Sequence, residues 1–113
     1  MVWTFDSALA DDLISVENRD DDMGLFEVRI GPLEAVVTIE LGRFMTSENT
    51  KFFVSHAIKP PTLATPYRTS HQFADYPAYA LHRAIAGLTS EYRVAVGAGH
   101  APEEAWLVEG GNT

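Results

Sequence analysis

A chain of 113 residues with 46% hydrophobic content is long enough to bury one core without staples. It has no cysteine, which excludes disulfides, thiolate metal sites and a cysteine nucleophile together. Its net charge of −8 is confined to one half: residues 1–50 hold 11 acids and 3 bases, residues 51–113 hold 5 of each.

The acids peak in 6–22, where Asp6, Asp11, Asp12, Glu17, Asp20, Asp21 and Asp22 face Arg19 alone. Such a surface repels phosphate backbones, so direct nucleic-acid binding is disfavoured. It attracts a basic partner protein and speeds the encounter. No apolar run approaches the roughly 20 residues of a membrane span. The start lacks the basic and apolar regions of a signal peptide. The expectation is one cytoplasmic domain over 1–113, with no membrane partner.

Val2-Trp3-Thr4-Phe5 suits an edge strand or a docked flap. Asp6 or Ser7 then caps a helix over Ser7–Val16, where Leu9, Leu13 and Val16 recur at helical spacing. Asp11 and Asp12 fall in its first half, where the helix dipole favours them. A competing strand over Leu13–Glu17 rests on the alternation of Ile14 and Val16 with Ser15 and Glu17; the helix is preferred. Asn18–Gly24 reads as an acidic loop. It fails as an EF-hand: starting at Asn18 puts Met23 at the glycine position and Arg29 at the last ligand position, and starting one residue later puts Arg19 and Met23 at ligand positions.

Leu25–Ile30 alternates, with Phe26, Val28 and Ile30 on one face. Leu33–Leu41 alternates too, with Leu33, Ala35, Val37, Ile39 and Leu41 inward and Glu34, Val36, Thr38 and Glu40 outward. Gly31-Pro32 between them predicts a tight hairpin turn. Lys51–Ile58 is the third strand, with Phe52, Val54, His56 and Ile58 on one face. If that face is inside, Phe53 lies outside near Leu25, Val36 and Thr38, on a partly apolar outer sheet face that suits a partner or a dimer contact.

Residues 59–76 have no periodicity and form a long loop stiffened by Pro60, Pro61 and Pro66. Tyr67, Arg68, His71, Gln72 and Tyr76 give it the densest mixture of aromatic and hydrogen-bonding groups, and Tyr and Arg are enriched at binding hot spots. The longest helical pattern follows. Asp75 is the expected N-cap, Pro77 suits the first turn, and Leu81, Ala84, Ile85, Leu88, Tyr92, Ala95 and Val96 make one stripe. Gly97 and Gly99 end it. Pro102–Val108 reads as a short final helix, with Trp106 and Leu107 closing the core.

No motif carries chemistry. His56, His71, His82 and His100 lack metal-site spacing, so no metal or cofactor is expected. Ser70-His71 are chain neighbours without the rest of a triad. Gly97-Ala-Gly-His follows a helix instead of opening one, so it is no phosphate loop. No segment resembles a known family.

The expected fold is α+β: a three-stranded antiparallel sheet, with Val2–Phe5 a candidate fourth strand, packed on one long C-terminal helix with short flanking helices. The expected function is a non-enzymatic module, monomeric or homodimeric, that docks on a protein with a basic surface. Asp11, Asp12, Glu17, Asp20, Asp21 and Asp22 are its candidate contacts, with Tyr67, Arg68 and His71 from the loop. In its sharpest form the carboxylates stand in for phosphates and block a nucleic-acid-binding protein, by analogy with small acidic inhibitors of the anti-restriction and anti-CRISPR kind. The alternative is a small-molecule site or enzyme under the 59–76 loop, using Tyr67, Arg68 and His71.

Overall fold

A computed structural model of the chain describes residues 2–43, 50–67 and 73–110. The fold is α+β. A short helix α1 (Phe5–Ala8) leads into β1 (Ile14–Asp20), β2 (Leu25–Ile30), β3 (Val37–Arg43), β4 (Thr50–Val54), β5 (His56–Ile58) and β6 (Phe73–Ala74). The long helix α2 (Pro77–Gly97), a 3-10 turn at Glu104–Trp106 and β7 (Leu107–Glu109) complete it. An antiparallel sheet runs in the order β1-β2-β3-β4-β6, its last strand only two residues long, and β5 pairs with β7 in a second small sheet.

One sheet face is covered and the other is open. Phe26, Val28, Ile30, Val37, Ile39, Leu41 and Phe52 point into the core, where they meet Leu81, Ala84, Ile85, Leu88, Tyr92 and Ala95 of α2. The alternation of β2 and β3 and the helical stripe are thus the two halves of one apolar layer. Val96, expected in the stripe, is 43% exposed on its flank in the last turn. Trp106 and Leu107 close the core, with the Trp106 ring edge-on to Tyr92 at 5.5 Å.

The N-terminal third departs from expectation. The helix expected over Ser7–Val16 is only Phe5–Ala8, and the second half of that stretch begins β1. Thr4 caps α1 instead of Asp6 or Ser7: Thr4 and Ser7 each take the other's backbone N–H, at 3.0 and 2.9 Å. Asp11 then turns the chain. Its side chain accepts the Leu13 N–H and its carbonyl accepts the Ile14 N–H, both at 2.9 Å, so the backbone is diverted before a second helical turn forms. Val2–Thr4 joins no strand. Asn18–Asp20, expected in a loop, finishes β1, and the tight turn is Asp21–Gly24, where Gly24 has φ +66° and the space for its side chain is filled by Leu41.

Three further elements differ. The connection after β2 is Gly31–Val36, longer than a tight turn; the Glu104 carboxylate takes the backbone N–H groups of Glu34 and Ala35 there. The strand expected over 51–58 breaks at Ser55. Its hydroxyl accepts the Thr38 N–H at 2.8 Å and lies 2.7 Å from His56 Nδ1, and the chain then leaves β3 to pair with β7. The final helix expected over 102–108 is a single 3-10 turn, because Leu107–Glu109 is drawn out to pair with β5. Tyr76 occupies the cap of α2 in place of Asp75 and makes no side-chain cap bond; its hydroxyl instead accepts the Trp3 N–H at 2.8 Å.

Candidate docking face

The expected acids do not form one ridge. Asp11 and Asp12 precede β1, Asp20 ends it and Asp21 and Asp22 follow in the turn, so the two groups lie about 20 Å apart along a seven-residue strand. Asp11 belongs to the helix side. Its carboxylate takes both ends of the Arg93 guanidinium, at 2.6 and 3.0 Å. That guanidinium, helped by the Leu13 N–H, holds the Asp11 pKa below its usual 3.8 against the opposing effect of burial. Asp21 pairs with Arg19, which also reaches Asp6 on α1 at 2.8 Å. The Arg19 hydrogen bonds lower the Asp21 pKa. Glu17 pairs with Arg29. Asp20 accepts the Met23 N–H at 3.1 Å, and Asp12 and Asp22 are exposed.

Pairing register sorts the strand residues by face. Arg19 stands opposite buried Phe26, hence on the helix side, whereas Asp20 stands opposite Leu25 on the open side. Leu25 in turn stands opposite Glu40, and Glu40 opposite Phe53. Four adjacent strands therefore carry one straight row, Asp20–Leu25–Glu40–Phe53, alternating acid and apolar across the open face. The next row is Asn18–Glu27–Thr38, and Ser55 extends it by its two bonds to Thr38. Leu25 on β2 and Val36 just before β3 are 37% and 39% exposed on this face.

Glu27 and Glu40 are the residues that sequence reasoning missed as contacts. Their outward positions were legible in the alternation of their strands. What the sequence hid was that β1 would bring Asp20 alongside them. The Lys51 ammonium lies over the Phe53 ring, 5.0 Å from its centre, so one aromatic group on this face already holds a cation.

The loop candidates fare differently. Tyr67 is 41% exposed and bridges Ile58 through its backbone N–H, at 2.8 Å. Arg68 and His71 lie outside the described residues. Three shallow grooves are formed by described residues alone, and residues 59–67 do not line these three. One, of about 290 Å³, follows the α1–α2 seam between the Trp3–His82 stack and the Asp11–Arg93 pair.

Among the described residues no three His, Asp or Glu side chains gather at metal-binding range. No described helix is long and apolar enough to cross a membrane. No family model, curated protein or solved structure matches the chain.

Proposed function

We propose that the protein is a non-enzymatic binding module that docks a basic protein partner on the open face of its sheet. The observation that carries this reading is the row Asp20–Leu25–Glu40–Phe53. Apolar groups supply contact area, while the carboxylates between them select a positive surface and speed the encounter. Glu27 beside the row and Asp22 at the turn enlarge the acidic rim. In its sharpest form the partner is a nucleic-acid-binding protein whose basic groove takes these carboxylates in place of phosphates, which makes the module an inhibitor.

The test is capture of partners from the native host on immobilised protein, with elution by a salt gradient. A basic partner that elutes as salt rises, and that a Glu27→Lys/Glu40→Lys variant fails to retain, supports the reading. A partner held equally at low and high salt, or retained by the variant, overturns it.

A further inference from the structure

We infer that the groove beside Phe53 is a subsite for one lysine or arginine side chain of that basic partner. The inference rests on the docking reading above and adds the chemistry of one anchor. The groove is about 180 Å³ and is lined by Thr38, Glu40, Phe53, Val54 and Ser55. Its volume is below the roughly 300–1,000 Å³ of small-molecule sites and suits a single side chain.

Its polar groups are unequal. The Ser55 hydroxyl is engaged by the Thr38 N–H and faces His56 Nδ1. Glu40, opposite Phe53 on the neighbouring strand, has no ion-pair partner among the described residues. The one charged residue that lines the groove is therefore Glu40, standing beside the Phe53 ring, with the Lys51 ammonium over that ring outside the lining. A long alkyl stem with a cationic head matches that pattern: the stem lies along Phe53 while the head reaches Glu40, its neighbour on the open face. An anionic ligand is repelled by Glu40, and a purely apolar one leaves the carboxylate unpaired at a drying contact. Lys51 shows the affinity of the same ring for a cation from within the chain.

Isotope-labelled protein is titrated with the amides of Nα-acetyl-arginine and Nα-acetyl-lysine, and with that of Nα-acetyl-norleucine as an uncharged control. The expected result is NMR shifts confined to Phe53, Val54, Thr38 and Glu40 with the two cations and absent with norleucine. Shifts that are equal for norleucine, or that scatter over Asp12 and Asp22, overturn the subsite. Against the captured partner, Glu40→Gln and Phe53→Leu each weaken binding at least fivefold, and Glu34→Gln leaves it unchanged. Both altered residues lie on the open face, so a preserved amide spectrum verifies the fold. Salt-sensitive partner binding that Glu40→Gln does not weaken removes the subsite and leaves the docking reading standing. Failure to find any salt-sensitive basic partner removes that reading itself.

Discussion

The Asp11 carboxylate and the Arg93 guanidinium meet end to end, at 2.6 and 3.0 Å, across 82 positions of the chain. They tie the loop before β1 to α2 beside the Trp3–His82 stack, whose ring centres are 3.6 Å apart. The N-terminal segment is thus fastened to the helix side of the molecule, and one candidate contact is withdrawn from the open face.

Replacing Asp11 with Asn is expected to cost about 1 kcal/mol, since the pair is two-pronged but Arg93 is half exposed. The folded state lowers the Asp11 pKa below 3.8. Its stabilisation is therefore fully present above the unfolded value and lost as pH falls through the folded one. Urea unfolding of both proteins at pH 7 and near pH 2 checks this. The difference between them should close at low pH; a gap that persists assigns the loss to packing.

His82 titrates in the opposite charge sense with the same pH direction. Burial lowers its pKa below 6.5, and Asp11 opposes this only in part. Trp3 stacks on it with ring centres 3.6 Å apart, and the Tyr79 ring lies nearly parallel to it at 6.2 Å. The neutral ring is the favoured form, so stability is highest above pH 6.5 and declines as pH falls through the folded value. The His82 imidazole resonance should titrate below the ordinary 6.5. A His82→Gln variant should lose the stability change between pH 7 and pH 5; an unchanged profile would assign it to other groups.

Gly31 is irreplaceable for two separable reasons. Its φ of +52° lies in the left-handed region, and a Cβ there would stand 2.5 Å from the Tyr92 hydroxyl. Tyr92 is buried and cannot swing away. Gly31→Ala should cost at least about 2 kcal/mol, combining backbone strain with overpacking. In a Tyr92→Phe background the 2.5 Å contact with the hydroxyl is gone while the 3.1 Å approach to the ring's Cζ stays, so the cost should fall toward the backbone share of about 1–2 kcal/mol. Equal costs in both backgrounds would show that the ring moves aside.

The sheet faces and the helical stripe were legible because period-2 and period-3.6 patterns depend on local residues. The misreadings came from partners remote in sequence. Leu9, Leu13 and Val16 fit a helix, but Ile14 and Val16 found Ile30 and Val28 across a strand pair. Ser55 looks like any outward strand residue until Thr38 takes its hydroxyl. Register was the costliest loss for function. A tight turn at Gly31-Pro32 pairs Ile30 with Leu33, whose numbers sum to 63, and so places Leu25 opposite Thr38. The observed connection sets Leu25 opposite Glu40, a sum of 65. Those two residues of slippage keep every side chain on its face yet decide whether an acid or a threonine lies between Leu25 and Phe53.

The same row sets the expected oligomeric state. Leu25, Val36 and Phe53 are the apolar groups that a second copy would meet on this face, with Glu40 between Leu25 and Phe53 and the Glu27–Thr38 row between Leu25 and Val36. A two-fold contact through this face, however, brings Glu27, Glu40 and Asp20 of one copy against the same residues of the other. Like charges across a drying interface cost several kcal/mol, more than three partly exposed apolar side chains regain. The protein should therefore sediment as a monomer at neutral pH and low salt. Glu27→Ala/Glu40→Ala removes the repulsion and keeps the apolar groups, so this variant should self-associate more strongly than the parent at low salt, where the parent's carboxylates are least screened. A parent that dimerises through this face at low salt would show that the carboxylates do not guard it, and would leave the face to a second copy instead of a basic partner.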